Sequence, residues 1–205
     1  SFIENYYRNK DVNLLFVDQS YKQVIKNTKL DNVIDILHYP ANEINFYKMW
    51  VKLVQKYGSE FTYFVWNNDD DFTLAESINE IEDFLNTPQG SKFTLVTGQV
   101  YQINEKFKHI KDYGTFEYFK KDVIEDSPED RLKQTFLNNG VHVNPHAVIR
   151  TDVFKECCEM ILSTYHQDNN IFPLRFFDKI ITACAAIIGY RKTNFDNVTS
   201  VRTTR

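Results

Sequence analysis

The chain has 205 residues, 42% of them hydrophobic and 15% aromatic, with a net charge of −4. That is enough apolar material for a substantial core. The acidic balance argues against non-specific nucleic-acid binding, which needs a basic field.

The chain opens with 2-FIENYYR-8, which reads as the end of a helix, followed by 14-LLFVD-18, a short apolar run expected as a buried strand. A second short strand is expected around 33-VIDIL-37. In 45-NFYKMWVKLVQKY-57 the apolar residues Phe46, Trp50, Leu53, Val54 and Tyr57 recur at helical spacing, and Gly58 is a natural stop. The run 61-FTYFVW-66 is apolar on both faces, as in a sheet covered on both sides.

Beyond it, Thr73-Leu-Ala-Glu76 has the pattern of a capping box. A helix follows, with Leu74, Ile78, Ile81 and Leu85 on one face, and runs up to Pro88. The run 93-FTLVTGQVYQI-103 is a long strand, and a polar, aromatic-rich stretch occupies about 104–126. Ser127-Pro128 starts another helix, with serine as cap and proline in the first turn. Then come a strand at 146-HAVIR-150, an amphipathic helix at 152–165 and a helix at 174–188 closed by Gly189. Strand-like pieces at 190–193 and 198–202 end the chain.

Strands alternating with helices imply an α/β domain on a mostly parallel sheet. In such sheets ligands gather at the carboxyl ends of the strands. Asp18 and the triplet Asp69-Asp70-Asp71 both sit at such ends. One carboxylate near a helix N-terminus is favourable, but three adjacent anions repel one another. A divalent cation relieves that repulsion, and Mg²⁺ or Mn²⁺ prefers one or two carboxylates together with phosphate oxygens. The residues therefore point to a metal-diphosphate pocket, with helix-start residues as the alternative.

The order of strand, Asp-x-Asp loop, helix, Pro stop and long strand resembles the centre of a GT-A nucleotide-sugar glycosyltransferase. More narrowly, NNDDDFTLAESINEIEDFLN resembles the DDDF segment of a bacterial subgroup related to the inverting family 2 enzymes. Further likeness lies in 131-RLKQTF-136, 147-AVIRTDVFK-155 and 187-IIGYRKTNFDNVTSVR-202, so it spreads over most of residues 2–202. The resemblance implies a GT-A-like, Rossmann-like domain that uses Mn²⁺ or Mg²⁺. It would take a sugar from a nucleoside diphosphate sugar to a glycan or other hydroxyl acceptor, with inversion. Nucleotide binding falls to about 1–103 and the acceptor side to about 104–205.

In one register Asp69 and Asp71 form the metal motif. In the other, Asn68, Asp70 and Asp71 align with it, and Asn68 replaces its first carboxylate. Asp69 and Asp71 rank first as metal or ribose contacts, with Asn68 and Asp70 as nucleotide contacts. Asp18 resembles the acidic residue that contacts the base or ribose, with a strand-end turn residue as its alternative. Arg202 resembles an arginine suited to gripping a pyrophosphate bidentately, or it is a solvated tail residue. His146 is nominated as a further metal ligand.

An inverting transfer also needs a base at the acceptor hydroxyl. Family members place an acid at or near the start of a late helix, and Asp178 takes that place here. At 100° per residue it falls at the margin of the face formed by Leu174, Phe177, Ile181, Cys184 and Ile188. The alternative is an ion pair with Arg175. The aromatic residues between Tyr113 and Phe119 suit an acceptor groove or a core equally.

GT-A enzymes begin with a strand and a nucleotide-gripping loop ahead of the helix that FIENYYR resembles. Here that helix is the first element, so the expectation is a piece of a longer chain whose other domains are partners, or a first strand supplied from elsewhere. Two other readings stay open: a nucleotidyltransferase, and a non-catalytic interaction module that retains an idle acidic loop. No apolar run reaches the roughly 20 residues of a membrane span and no signal-peptide pattern is seen. Cys157, Cys158 and Cys184 lack metal-type spacing. Buried reduced thiols and a cytoplasmic setting are therefore expected.

Overall fold

The computed structural model describes residues 6–8, 10–27, 30–40, 46–65, 67, 71–103, 109–112, 121–137, 147–164 and 177–203. At 46, 47, 71, 72, 100, 102, 103, 109–112, 164, 177, 178 and 194–203 the description is of the backbone alone.

The strands are β1 (Leu14–Asp18), β2 (Val33–His38), β3 (Tyr63–Phe64), β4 (Asp71–Thr73), β5 (Phe93–Ile103), β6 (His109–Asp112), β7 (Val148–Arg150) and β8 (Tyr190–Thr203). The helices are α1 (Phe46–Tyr57), α2 (Ala75–Leu85), α3 (Pro128–Leu137), α4 (Thr151–Thr164) and α5 (Phe177–Ile188), with a 3₁₀ turn at Gly90–Lys92. Strands and helices mix along the chain, so the class is α/β as expected.

The sheet departs from expectation. β1 and β2 form a two-stranded parallel sheet of their own. The other six strands form a mixed sheet in the order β3-β7-β5-β8-β4, with β6 also paired to β5. Within it only β5 and β8 pair in parallel, so "mostly parallel" is corrected to mixed. For β4 the cause is the length of one connection. β4 follows β3 across residues 65–70, whereas a parallel crossover takes on the order of a dozen residues or more. β4 therefore returns antiparallel and finds its partner in β8, far along the chain. β3, β5 and β8 still share one direction.

Side chains alternate across the six-stranded sheet, as period two demands. Phe64, Leu95 and Ile149 face a cluster with α1, α4 and α5 that includes Phe154, Cys157 and Ile181. Tyr63, Val96 and Val148 face Ile81 and Leu85 of α2. The strands read as apolar on both faces because helices cover both. Phe154 anchors the first cluster, its ring 4.3 Å from that of Phe64 and 5.5 Å from that of Trp50. Burying such a side chain contributes about 1.5–3 kcal/mol.

Local signals set several helix ends. The Gly58 N–H bonds the Val54 carbonyl at 2.7 Å, and a Cβ at Gly58 would lie 2.4 Å from that oxygen. Only glycine fits this stop. Ser127 caps α3: its hydroxyl accepts from the Asp130 N–H at 3.0 Å and donates to Asp130 Oδ2 at 2.7 Å. The far end of α5 is closed by a residue from another helix. Arg131 of α3 donates from Nε to the Ala186 carbonyl and from Nη2 to that of Ile187, both at 2.7 Å.

Candidate functional site

The acidic loop leaves the carboxyl end of β3 and returns as β4. Its stem is fixed by residues at either end. Thr73 Oγ1 donates to Asn67 Oδ1 at 2.6 Å, joining the two sides. The Tyr7 hydroxyl donates to the Thr73 carbonyl at 2.6 Å and accepts from the Thr73 N–H at 3.2 Å. Burial raises the Tyr7 pKa to about 12, so the group stays a neutral donor.

Thr73 is therefore not the cap of α2, and the expected capping box is corrected. α2 begins at Ala75, and Leu74 at its cap position offers no side-chain hydrogen bond. The free Ala75 N–H donates instead to the Tyr6 hydroxyl at 3.0 Å. That hydroxyl donates in turn to Glu76 Oε2 at 2.8 Å, and Lys10 pairs with Glu76 Oε1. The Lys10 bond, the residue's own N–H and Tyr6 together lower the Glu76 pKa to about 2. Tyr6 and Tyr7 thus cap the helix and brace the loop at once, from a segment close to the start of the chain.

β4 places Asp71 directly opposite Arg202 of β8, and Arg202 is also the register partner of Gln102 in β5. Two of the residues singled out from the sequence are thus neighbours across a strand pair, where opposed Cα atoms lie about 4.5–5.5 Å apart. Asp178 lies on α5, which is described from Phe177, so the expected start at 174 lies outside the described residues. Asn68, Asp69, Asp70 and His146 lie outside the described residues, as does the 113–119 aromatic stretch.

Asp18 is 4% exposed and ends β1 as expected. Its carboxylate organises the loop that follows. Oδ2 accepts from the N–H groups of Val24 at 2.6 Å and Ile25 at 2.9 Å, and Oδ1 accepts from that of Ser20 at 2.9 Å. Donation by Ile25 and then Ser20 holds its pKa far below the ordinary carboxylate value. His38 Nε2, at the end of β2, lies 2.8 Å from the Ser20 carbonyl. The geometry matches the turn-forming alternative, with the fixed 19–25 loop at the carboxyl ends of β1 and β2.

Among the described residues no three His, Cys, Asp or Glu side chains converge as a metal site, and the side chains of Asp69 to Asp71 are not among those described. No helix among the described residues is long and apolar enough to cross a membrane. Compared with protein-family models and with curated protein sequences, the chain matches neither.

Sequence reasoning missed the bracing residues Tyr6, Tyr7, Asn67 and Thr73 and the helix-closing Arg131. Tyr7 and Thr73 stand 66 positions apart, so no local pattern joins them. The one available signal was a pair of adjacent tyrosines in an otherwise polar helix end.

Proposed function

We propose that the chain carries the nucleotide-sugar half-site of a GT-A-like glycosyltransferase. It would move a sugar from a nucleoside diphosphate donor to an acceptor hydroxyl with inversion. The observation that carries the reading is the register of β4 on β8. An acidic loop suited to a divalent cation ends at Asp71, directly opposite an arginine suited to a pyrophosphate. The braced stem supports it further, because a phosphate site needs its groups held in fixed geometry.

In this reading Asp69 and Asp71 would hold Mn²⁺ or Mg²⁺, and Asn68 and Asp70 would contact the nucleotide. The ion, when bound, supplies neutralising charge at the departing diphosphate. Arg202 grips a phosphate oxygen pair. Asp18 shapes the loop at the β1 and β2 ends against which base or ribose would rest. Asp178, on α5, takes the acceptor proton, and His146 is a reserve ligand.

Thermal shift with Mn²⁺ and a panel of nucleoside diphosphates tests the proposal. Stabilisation by mass action is expected, and it should vanish in Asp71→Ala while the circular dichroism spectrum is unchanged. Stabilisation by a nucleoside triphosphate but by no diphosphate would point instead to nucleotidyl transfer. No response to any nucleotide would sink both enzyme readings.

A further inference from the structure

One part of this acidic chain is basic. Residues 19–57 carry six lysines against three acids, although the whole chain has a net charge of −4. The lysines fall in two runs that contain no acid: Lys22, Lys26 and Lys29 between Asp18 and Asp31, and Lys48, Lys52 and Lys56 on α1. Of the three acids, Asp35 is paired with Lys56 at 2.9 Å. Asp31 precedes β2 at its amino end, and Glu43 lies outside the described residues.

The two runs meet at one end of the β1-β2 sheet. The 19–25 loop follows β1, and the Asp18 carboxylate pins it through three N–H groups. Gln23 Nε2 adds a bond to the Ile25 carbonyl at 3.0 Å. α1 ends beside β2, where Lys56 and the Tyr57 hydroxyl both bond Asp35. Its start is only six residue steps from Pro40, a reach of about 20 Å. A helix running on past the amino end of β2 would start about 30 Å from Pro40. α1 therefore runs back alongside β2, and its first turns lie toward the strand ends that carry the loop. There Met49 and Leu53 face the core, and Lys48 and Lys52, four residues apart, are exposed.

The loop also holds apolar groups outward. Tyr21 is 80% exposed and Val24 73% exposed, with Lys22 and Lys26 exposed beside them. We propose that this surface docks on a membrane rich in anionic lipid. Tyr21 and Val24 enter the headgroup boundary, and Lys22, Lys26, Lys48 and Lys52 face the lipid phosphates. Interfacial binding draws on just this combination of apolar area and positive charge. Tyrosine suits the headgroup level, and lysine stems lie along an apolar boundary while their ammonium groups stay in water. A nucleic acid offers partners to the lysines and the tyrosine but none to Val24. The loop is already fixed by Asp18, so little ordering cost is added on docking. The attachment is peripheral and stands independently of the transferase reading.

Co-sedimentation with vesicles tests this, using phosphatidylcholine alone and an equal mixture with phosphatidylglycerol. The chain should bind the mixture and not the neutral vesicles. Binding should fall away in about 1 M salt, where screening acts within about 3 Å. Lys22→Gln with Lys26→Gln, and Lys48→Gln with Lys52→Gln, should each weaken binding about fivefold per lysine removed. Tyr21→Ser with Val24→Ser should weaken it about tenfold. All six positions are exposed, so circular dichroism spectra should match the parent. Lys133→Gln on α3 lowers the total charge away from this surface and should leave binding unchanged. Equal binding to neutral vesicles would overturn the proposal, as would unchanged binding in the Tyr21 and Val24 variant or in either lysine pair. So would retention on heparin or a DNA oligonucleotide with no sedimentation on anionic vesicles.

Discussion

Tyr7 and Thr73 exchange two hydrogen bonds across the base of the acidic loop, one through each backbone polar group of Thr73. A phenol that both donates and accepts replaces a strand neighbour at the edge of the sheet, where β4 would otherwise leave those groups unpaired. Phenylalanine fills the same space without the hydroxyl. Tyr7→Phe should cost about 1–3 kcal/mol in urea unfolding, the range for a buried partner left unsatisfied. Thr73→Val removes only the Asn67 bond and should cost about 1 kcal/mol. An unchanged unfolding midpoint in both variants would show that the stem does not hold the loop.

Acid should weaken the fold through three carboxylates. The Tyr57 hydroxyl at 2.6 Å and Lys56 at 2.9 Å lower the Asp35 pKa to about 2. Glu76 is lowered to about 2 by Lys10 and its other partners, and Asp18 is lowered by the N–H groups of its loop. Unfolded Asp and Glu titrate near 3.9 and 4.3. Below those values the unfolded chain binds protons that the folded chain refuses, so stability rises with pH in that window. It should be fully present above about pH 4.5 and drain away as the pH falls through about 2. Urea midpoints between pH 2 and pH 6 check this, and Asp35→Asn should flatten the slope.

Arg131 joins three pieces of chain. Besides closing α5, its Nη1 donates to the carbonyls of Glu125 at 2.9 Å and Asp126 at 2.8 Å. A lysine ammonium cannot reproduce that planar fork. Arg131→Lys should therefore destabilise by about 2–3 kcal/mol, several carbonyls losing a charged donor. Hydrogen exchange should quicken at the end of α5. Protection there equal to the parent would show that the cap is dispensable.

Arg191 presents the opposite case. It is 1% exposed, and among the described residues none of its three side-chain nitrogens has a hydrogen-bond partner. Burial alone lowers its pKa to about 10. An unpaired buried charge opposes folding. Arg191→Met, of similar length and apolar, should raise stability by about 1–4 kcal/mol. Thermal unfolding gives the answer, and a lower midpoint would show that the guanidinium is compensated in solution.

Wherever local pattern and burial agreed, the elements were legible. β1 and β5 fall where the apolar runs placed them, and α1 covers Phe46–Tyr57, the span of its apolar periodicity. Ser127 and Gly58 mark the helix ends that their chemistry implied. The 190–193 and 198–202 pieces proved to be one strand, because β5 pairs along their whole length with register shifts that absorb the polar middle.

Tertiary structure decided the rest. β4 has three residues and no pattern of its own, and it exists because β8 offers an edge. Its pairing took Thr73 out of the expected cap, and Tyr6 took over the cap's work. The acidic loop, the arginine and the order of helices with strands can be read along the chain because short-range spacing encodes them. That Asp71 lies opposite Arg202, that Tyr7 braces Thr73 and that Arg131 closes α5 cannot be read there. Such contacts join residues far apart in the chain, and only the packing of distant elements brings them within bonding distance.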